Sequence, residues 1–199
     1  SCNLPGRTKL GSVGPPIPGL EVKIADDGEI LIRGPNVFLG YFKEDAATAD
    51  ALRDGWLCSG DLGAFDREGF LTITGRQKEI IITAGGKNIA PKNIEAAIKA
   101  LPLVGEAVVI GDRRKYLTAL VTLEPGAASK VPSEQVRSTI QSKIDEVNQS
   151  LARVEQVKKF AILERPFAID TGELTPTMKL KRKVIAQKYA QEPDEVSFV

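Results

Sequence analysis

Gly75-Arg76-Gln77-Lys78-Glu79-Ile80-Ile81-Ile82-Thr83-Ala84-Gly85-Gly86-Lys87-Asn88-Ile89-Ala90-Pro91 is the stretch at which the chain changes character. Ahead of it, short β-forming runs are separated by turn residues. Leu20–Ile24 and Glu29–Arg33 flank Ala25-Asp26-Asp27-Gly28, and Leu62–Phe65 and Phe70–Thr74 flank Asp66-Arg67-Glu68-Gly69, two hairpin signals. Asp45–Leu52 is a short Ala-rich helix stopped by Asp54-Gly55. Beyond it, strand and helix patterns alternate. Ile80–Thr83 is strand-like, and Pro91 fits the first position of a helix with Ile94, Ile98 and Leu101 on one face. Ala107–Ile110 and Leu117–Leu123 read as strands joined by Asp112-Arg113-Arg114-Lys115. Ser133 opens a long helix marked by Val136, Ile140, Ile144, Val147 and Leu151. Lys159–Leu163 reads as a third strand and Leu180–Tyr189 as a basic terminal helix, after an irregular stretch over 165–178.

Charge changes sign at the same place: residues 1–77 carry a net −3 and residues 78–199 a net +4. Two units, 1–77 and 78–199, therefore meet near Lys78. The expected fold class is α+β: a small antiparallel, barrel-like subdomain, then a compact α/β domain with a small mixed sheet and flanking helices.

Composition removes whole classes of chemistry. The 199 residues are 42% hydrophobic and 27% charged with a net charge of +1, the profile of a soluble globular chain. Apolar runs such as Ile80-Ile81-Ile82 are far short of the roughly 20 residues of a membrane-spanning helix. Ser1-Cys2-Asn3-Leu4-Pro5-Gly6 has no signal-peptide pattern and reads as a start in mid-protein. There is no histidine, which excludes Ser-His-Asp and Cys-His catalysis and His-ligated zinc. Cys2 and Cys58 cannot make a four-cysteine metal site, so no metal ligand set is expected. A reducing, cytoplasmic setting is a simpler expectation for these two cysteines than one disulfide. The near-zero net charge argues against nucleic acid as a partner.

Four stretches exceed what folding requires. In Gly55-Trp56-Leu57-Cys58-Ser59-Gly60-Asp61-Leu62-Gly63, an acid in a tight Gly-flanked bend can offer both oxygens to a vicinal diol, as of a ribose. Arg76, at the seam, can bind a ribose hydroxyl or a phosphate. In Thr83–Pro91 a Gly pair leads into a helix, letting a ligand approach the backbone, although the Walker A spacing is missing. In Thr171-Gly172-Glu173-Leu174-Thr175-Pro176-Thr177-Met178-Lys179, a flexible, hydroxyl-rich loop delivers Lys179, suited to neutralising charge between a carboxylate and a phosphate. Lys181, Arg182 and Lys183 read as solvated helix charges. Each stretch alone has an ordinary explanation: a turn Asp, a surface Arg, a plain loop, a basic tail.

Their order carries more. Gly-Glu-Ile-Leu-Ile-Arg-Gly-Pro (28–35), Gly40-Tyr41, Asp-Gly-Trp-Leu-Cys-Ser-Gly-Asp (54–61), Gly-Arg-Gln-Lys-Glu-Ile-Ile-Ile (75–82), Gly-Gly-Lys-Asn-Ile-Ala-Pro-Lys-Asn-Ile-Glu (85–95) and Thr-Pro-Thr-Met-Lys (175–179) form one series. It resembles the C-terminal part of the adenylate-forming superfamily: acyl-CoA synthetases, luciferases and peptide-synthetase adenylation domains. The ending Leu-Thr-Pro-Thr-Met-Lys-Leu-Lys-Arg-Lys is most similar to the long-chain fatty acid–CoA ligases.

The resemblance implies an ATP-dependent acid–thiol ligase. ATP and a fatty acid give an acyl-adenylate and pyrophosphate, and coenzyme A then displaces AMP after the small C-terminal domain swings. Matched by position, Asp61 and Arg76 would contact the ribose and Lys78 would be the hinge. Gly85 and Gly86 would line the pantetheine passage, and Lys179 would be the catalytic lysine of adenylation. Mg2+ would ride on the ATP phosphates through residues outside this chain. Residues 1–77 would end the large N-terminal adenylation domain, and 78–199 would be the mobile domain. The family's phosphate loop, adenine-site motif and carboxylate pocket lie upstream of what is present, so the fragment is expected to be inactive alone. The resemblance leaves room for peripheral membrane contact in the full-length enzyme. Two alternatives stay open: an acyl-AMP ligase serving a carrier protein, and a non-catalytic interaction module of the same fold.

Overall fold

Strand β1 (Glu21–Ile24) and β2 (Glu29–Arg33) pair antiparallel, from Glu21 opposite Arg33 to Ile24 opposite Ile30. The intervening turn is tied by Ala25 N–H to the Glu29 carbonyl and by Gly28 N–H to the Ala25 carbonyl, both at 2.9 Å. Helix α1 (Asp45–Ala51) runs directly into the short β3 (Leu52–Arg53). Asp54 and Gly55 then take φ of 49° and 77°. Two successive left-handed residues make the tight turn that matches the twist of a hairpin, so Asp54-Gly55 reverses the chain rather than merely stopping a helix. The partner is β4 (Trp56–Phe65), which also pairs with β2 and with β5 (Leu71–Arg76). The result is a five-stranded antiparallel sheet centred on β4.

The computed structural model describes residues 1–190, in two compact units that divide between Lys78 and Glu79. Arg76, Gln77 and Lys78 at the division are exposed. Limited proteolysis is expected to cut first at the exposed residues of the stretch 74–90, at 76–78 or 84–87. First cleavage inside a buried strand of either unit would overturn that expectation.

The second unit opens with a two-residue ladder, β6 (Ile81–Ile82) against β7 (Asn88–Ile89). Helix α2 (Pro91–Lys99) follows with Pro91 at its first turn, where the missing N–H costs nothing. Strands β8 (Val104–Ile110) and β9 (Leu117–Leu123) are antiparallel, while β10 (Val157–Leu163) lies parallel to β9. A parallel neighbour requires a crossover, supplied by α3 (Pro125–Ala128) and the long α4 (Ser133–Gln149). Helix α5 (Arg182–Ala190) closes the described chain. No helix among the described residues is long and apolar enough to cross a membrane.

Side-chain alternation explains why this small sheet is buried on both faces. Ala107, Val109, Ala119, Val121 and Phe160 pack with Ile94 and Ile98 of α2 and Ile140, Ile144 and Val147 of α4. Their strand neighbours Val108, Ile110, Leu120, Ala161 and Leu163 point the other way, onto Phe167, Leu174 and Ile185 of α5. Ile98, Ile140 and Ile185 have no exposed surface, and each such burial contributes about 1.5–3 kcal/mol. The loop that leads to Lys179 is thereby pinned to the core through Leu174.

Candidate functional site

The stretch around Asp61 corrects the expectation of a bend, because residues 56–65 form one strand. The glycines make a bulge inside it. Opposite β2 the register runs Glu29 to Leu62 and then Leu31 to Cys58, leaving extra β4 residues between. Gly60 takes φ of 70°, a conformation glycine adopts without strain, and its N–H donates to the buried Glu29 carboxylate at 2.7 Å. Gly63 is needed for a different reason. A methyl there would lie 2.7 Å from the Ile30 Cδ1 atom and from the Thr72 carbonyl oxygen.

The bulge places Asp61 directly opposite Arg76 of β5, with Arg76 Nε 3.0 Å from Asp61 Oδ1. The two side chains named as ribose contacts are thus a cross-strand pair. The Arg76 side chain is 64% exposed, and a pair as open as this contributes only about 0–1 kcal/mol to stability. Its value lies in presenting a carboxylate and a guanidinium side by side. Asp61, Ser59, Asn36 and Ser1 are the polar residues of a largely apolar cavity of about 320 Å³, walled by Val22, Ile30, Ile32 and Ile73. A concave apolar wall with few convergent polar groups suits a ligand that combines a flat apolar body with a diol. Burial pushes the thiol of Cys58, on the same strand, up, and the Glu29 charge adds to that.

Gly85 and Gly86 cap the β6–β7 ladder rather than leading straight into α2. Thr83 organises this turn: its N–H donates to the Lys87 carbonyl, and its Oγ1 accepts from the Lys87 N–H at 3.2 Å. Gly86 has φ of 76° and open space where a side chain would be, a methyl on Gly85 would meet only Thr83 Oγ1 at 3.9 Å, and both glycines are exposed.

Lys179 is exposed and makes no ion pair among the described residues. Its loop is not the loose segment its hydroxyls suggested. Thr175 N–H donates to the Lys179 carbonyl at 2.8 Å, and Lys179 N–H returns a bond to Thr175 Oγ1 at 3.0 Å. Met178, with φ of 61°, closes the turn, and Leu174 bridges Leu180. Lys179 stands at the neck of a tight hairpin.

Besides Glu29, two further buried carboxylates, Glu95 and Glu173, escaped the sequence reading. Glu95 of α2 accepts both terminal nitrogens of Arg182, Nη1 at 2.5 Å, and the Val109 N–H at 2.7 Å. Arg182 also reaches Glu79 at 3.4 Å. It is therefore a clamp at the start of α5 and not a solvated charge. Burial alone would lower its pKa, but the Glu95 carboxylate outweighs that and holds it above the usual value. Glu173, with no exposed surface, accepts from Arg165, Lys188, Tyr189 and Thr171. Neither carries a periodic signal, since the partners of Glu95 lie 14 and 87 residues away and those of Glu173 up to 16 away. Among the described residues no cluster of acidic or cysteine side chains is arranged to hold a metal ion.

Residues 78–196 match the AMP-binding enzyme C-terminal domain family. A long-chain fatty acid–CoA ligase of Mycobacterium tuberculosis is 46% identical over 94% of the chain, and one of Homo sapiens is 38% identical over 93%. The chain spans 34% and 31% of those proteins, about a third of their length. Among solved structures, the adenylation domain of a carboxylate reductase from Mycobacterium chelonae aligns with a TM-score of 0.76 at 25% identity, over 93% of this chain and 32% of that one. O-succinylbenzoate coenzyme A synthetase from Bacillus subtilis, in complex with AMP, aligns with a TM-score of 0.67 at 33% identity, over 88% and 35%.

Proposed function

The chain belongs to the AMP-binding enzyme C-terminal domain family, and from that membership we propose that it is the C-terminal part of a long-chain fatty acid–CoA ligase. The reaction joins a fatty acid to coenzyme A through an acyl-adenylate, using ATP with Mg2+ and releasing AMP and pyrophosphate. Asp61 and Arg76 hold the ribose of the nucleotide. Lys179 neutralises the charge that builds when the carboxylate meets the α-phosphate. Gly85 and Gly86 give the pantetheine arm its passage, and Lys78 is the hinge.

The observation that carries this reading is the Asp61–Arg76 pair beside an apolar cavity. Arg76 occupies one carboxylate oxygen, and the other is available to a ribose hydroxyl donating to it. A hydrogen bond to a charged group contributes about 1.5–3 kcal/mol. Asp61→Ala in the full-length protein is therefore expected to weaken AMP binding about 10- to 100-fold by isothermal titration. Unchanged AMP affinity in a folded Asp61→Ala protein would refute the ribose assignment.

The 199-residue chain by itself is expected to bind MgATP with a dissociation constant of about 1 mM or weaker. It carries no Gly-x4-Gly-Lys-Ser/Thr loop, and exposed Lys179 offers the triphosphate a single charge in water. Micromolar binding would mean a nucleotide site other than the one described.

A further inference from the structure

Glu173 is caged more completely than any other acid among the described residues. Its Oε1 accepts from Lys188 Nζ at 2.8 Å, Tyr189 OH at 3.0 Å and Arg165 Nη2 at 3.1 Å. Its Oε2 accepts from Thr171 Oγ1 at 2.7 Å, Arg165 Nη1 at 2.9 Å and the Ala168 N–H at 3.2 Å. A carboxylate offers about four lone-pair sites, and this one is fully subscribed. Taking a carboxylate out of water is costly, and apolar replacements of buried ion pairs are often neutral or stabilising. Packing alone gives no reason for an acid at this place.

The backbone of the same residue is the base of the Lys179 hairpin. The Glu173 carbonyl accepts the Lys181 N–H at 2.8 Å, Leu174 bridges Leu180, and Thr175 pairs with Lys179. The ladder thus runs in consecutive rungs from the caged carboxylate to the lysine. The residue after Lys181 is Arg182, itself clamped by Glu95, so both ends of the hairpin are tied to α5 or its partners.

We propose that Glu173 is a positioning residue for Lys179: the caged carboxylate fixes the base of the 173–181 hairpin and with it the direction in which the lysine is presented. The inference rests on the role given to Lys179 above.

The test uses the full-length protein with Glu173→Gln, Lys179→Ala and the double variant. Pyrophosphate release from fatty acid and MgATP measures adenylate formation. Thioester formation from supplied acyl-adenylate and coenzyme A measures the second step. Misplacing a catalytic group by about 1 Å can cost about 10²-fold in rate. Glu173→Gln is expected to slow adenylate formation by about that factor, to leave the second step unchanged, and to add nothing in the Lys179→Ala background. A Glu173→Gln loss shared by both steps, an undiminished loss in the double variant, or no loss at all would overturn the proposal. If Lys179→Ala itself leaves adenylate formation intact, the assignment of the lysine fails, and this inference falls with it. If Lys179→Ala is crippling and Glu173→Gln is silent, the inference alone falls. Should Glu173→Gln not fold, Lys188→Met removes one donor while Arg165 keeps the carboxylate paired. A several-fold slowing of adenylate formation alone is then expected, and an equal slowing of both steps would refute the proposal.

Discussion

Replacing Lys179 by Ala in the full-length protein is expected to slow adenylate formation by about 10²–10³-fold while leaving thioester formation from supplied acyl-adenylate nearly unchanged. Loss of one electrostatic contact to a developing charge costs about 3–4 kcal/mol in a preorganised site. The asymmetry follows from charge. Adenylation drives an anionic carboxylate against a polyphosphate, whereas thiol attack on the adenylate meets far less negative charge. The structure supplies the second requirement, which is geometry. Lys179 makes no ion pair among the described residues, and its backbone is fixed by reciprocal bonds with Thr175. A lysine whose backbone is fixed and whose ammonium makes no ion pair among the described residues has no ion-pair partner there to surrender when a phosphate arrives. Lys179→Arg separates charge from shape: the planar guanidinium keeps the charge but not the compact ammonium, so partial recovery is expected. Equal loss in both half-reactions would make the lysine structural.

How much of this was legible in the sequence depended on the range of the interactions involved. Strands β8 and β9 were visible because Val108, Val109, Ile110, Leu120 and Val121 form short β-branched and apolar runs between charged turns. Helix α4 was visible because Val136, Ile140, Ile144 and Val147 keep a helical period. The full extent of β4 was not, since Ser59, Gly60 and Gly63 look like punctuation until a bulge and a close approach to Ile30 give each a place. The pairing of Asp61 with Arg76 depends on the register of two strands, which composition does not encode. Glu95 and Arg182 face each other only once α2 and α5 are both folded. Glu173 looked like any other loop acid, since burial is a property of the assembled core and not of Thr171-Gly172-Glu173-Leu174.

Removing the Glu173 carboxylate is expected to destabilise the second unit by about 3 kcal/mol at pH 7. That is the low end for opening a buried ion pair, because Arg165 and Lys188 are 44% and 36% exposed and regain water when their partner is lost. The pH dependence gives the sharper test. Burial alone would raise the Glu173 carboxyl, but the hydrogen bonds from Arg165, Lys188, Thr171 and Tyr189 outweigh it and hold the group far below its ordinary value of 4.5. Above that value the carboxylate is ionised in both the folded and the unfolded chain, and its full contribution is present. As the pH falls below it, the unfolded chain takes up a proton that the folded chain refuses, and stability is lost at up to about 1.4 kcal/mol per pH unit. By pH 3 the loss from this one group reaches about 2 kcal/mol. Glu173→Gln has no such proton to bind. The gap in unfolding free energy between the two proteins should therefore stay constant from pH 7 to 5 and then narrow steadily toward pH 3. Other acids held low by ion pairs, such as Glu21 and Asp66, are common to both proteins and cancel in the difference. The longer helices α2, α4 and α5 all belong to the second unit, so urea unfolding followed by far-ultraviolet circular dichroism reads mainly that unit. A gap that stays constant to pH 3, or widens, would mean that the cage does not hold Glu173 ionised.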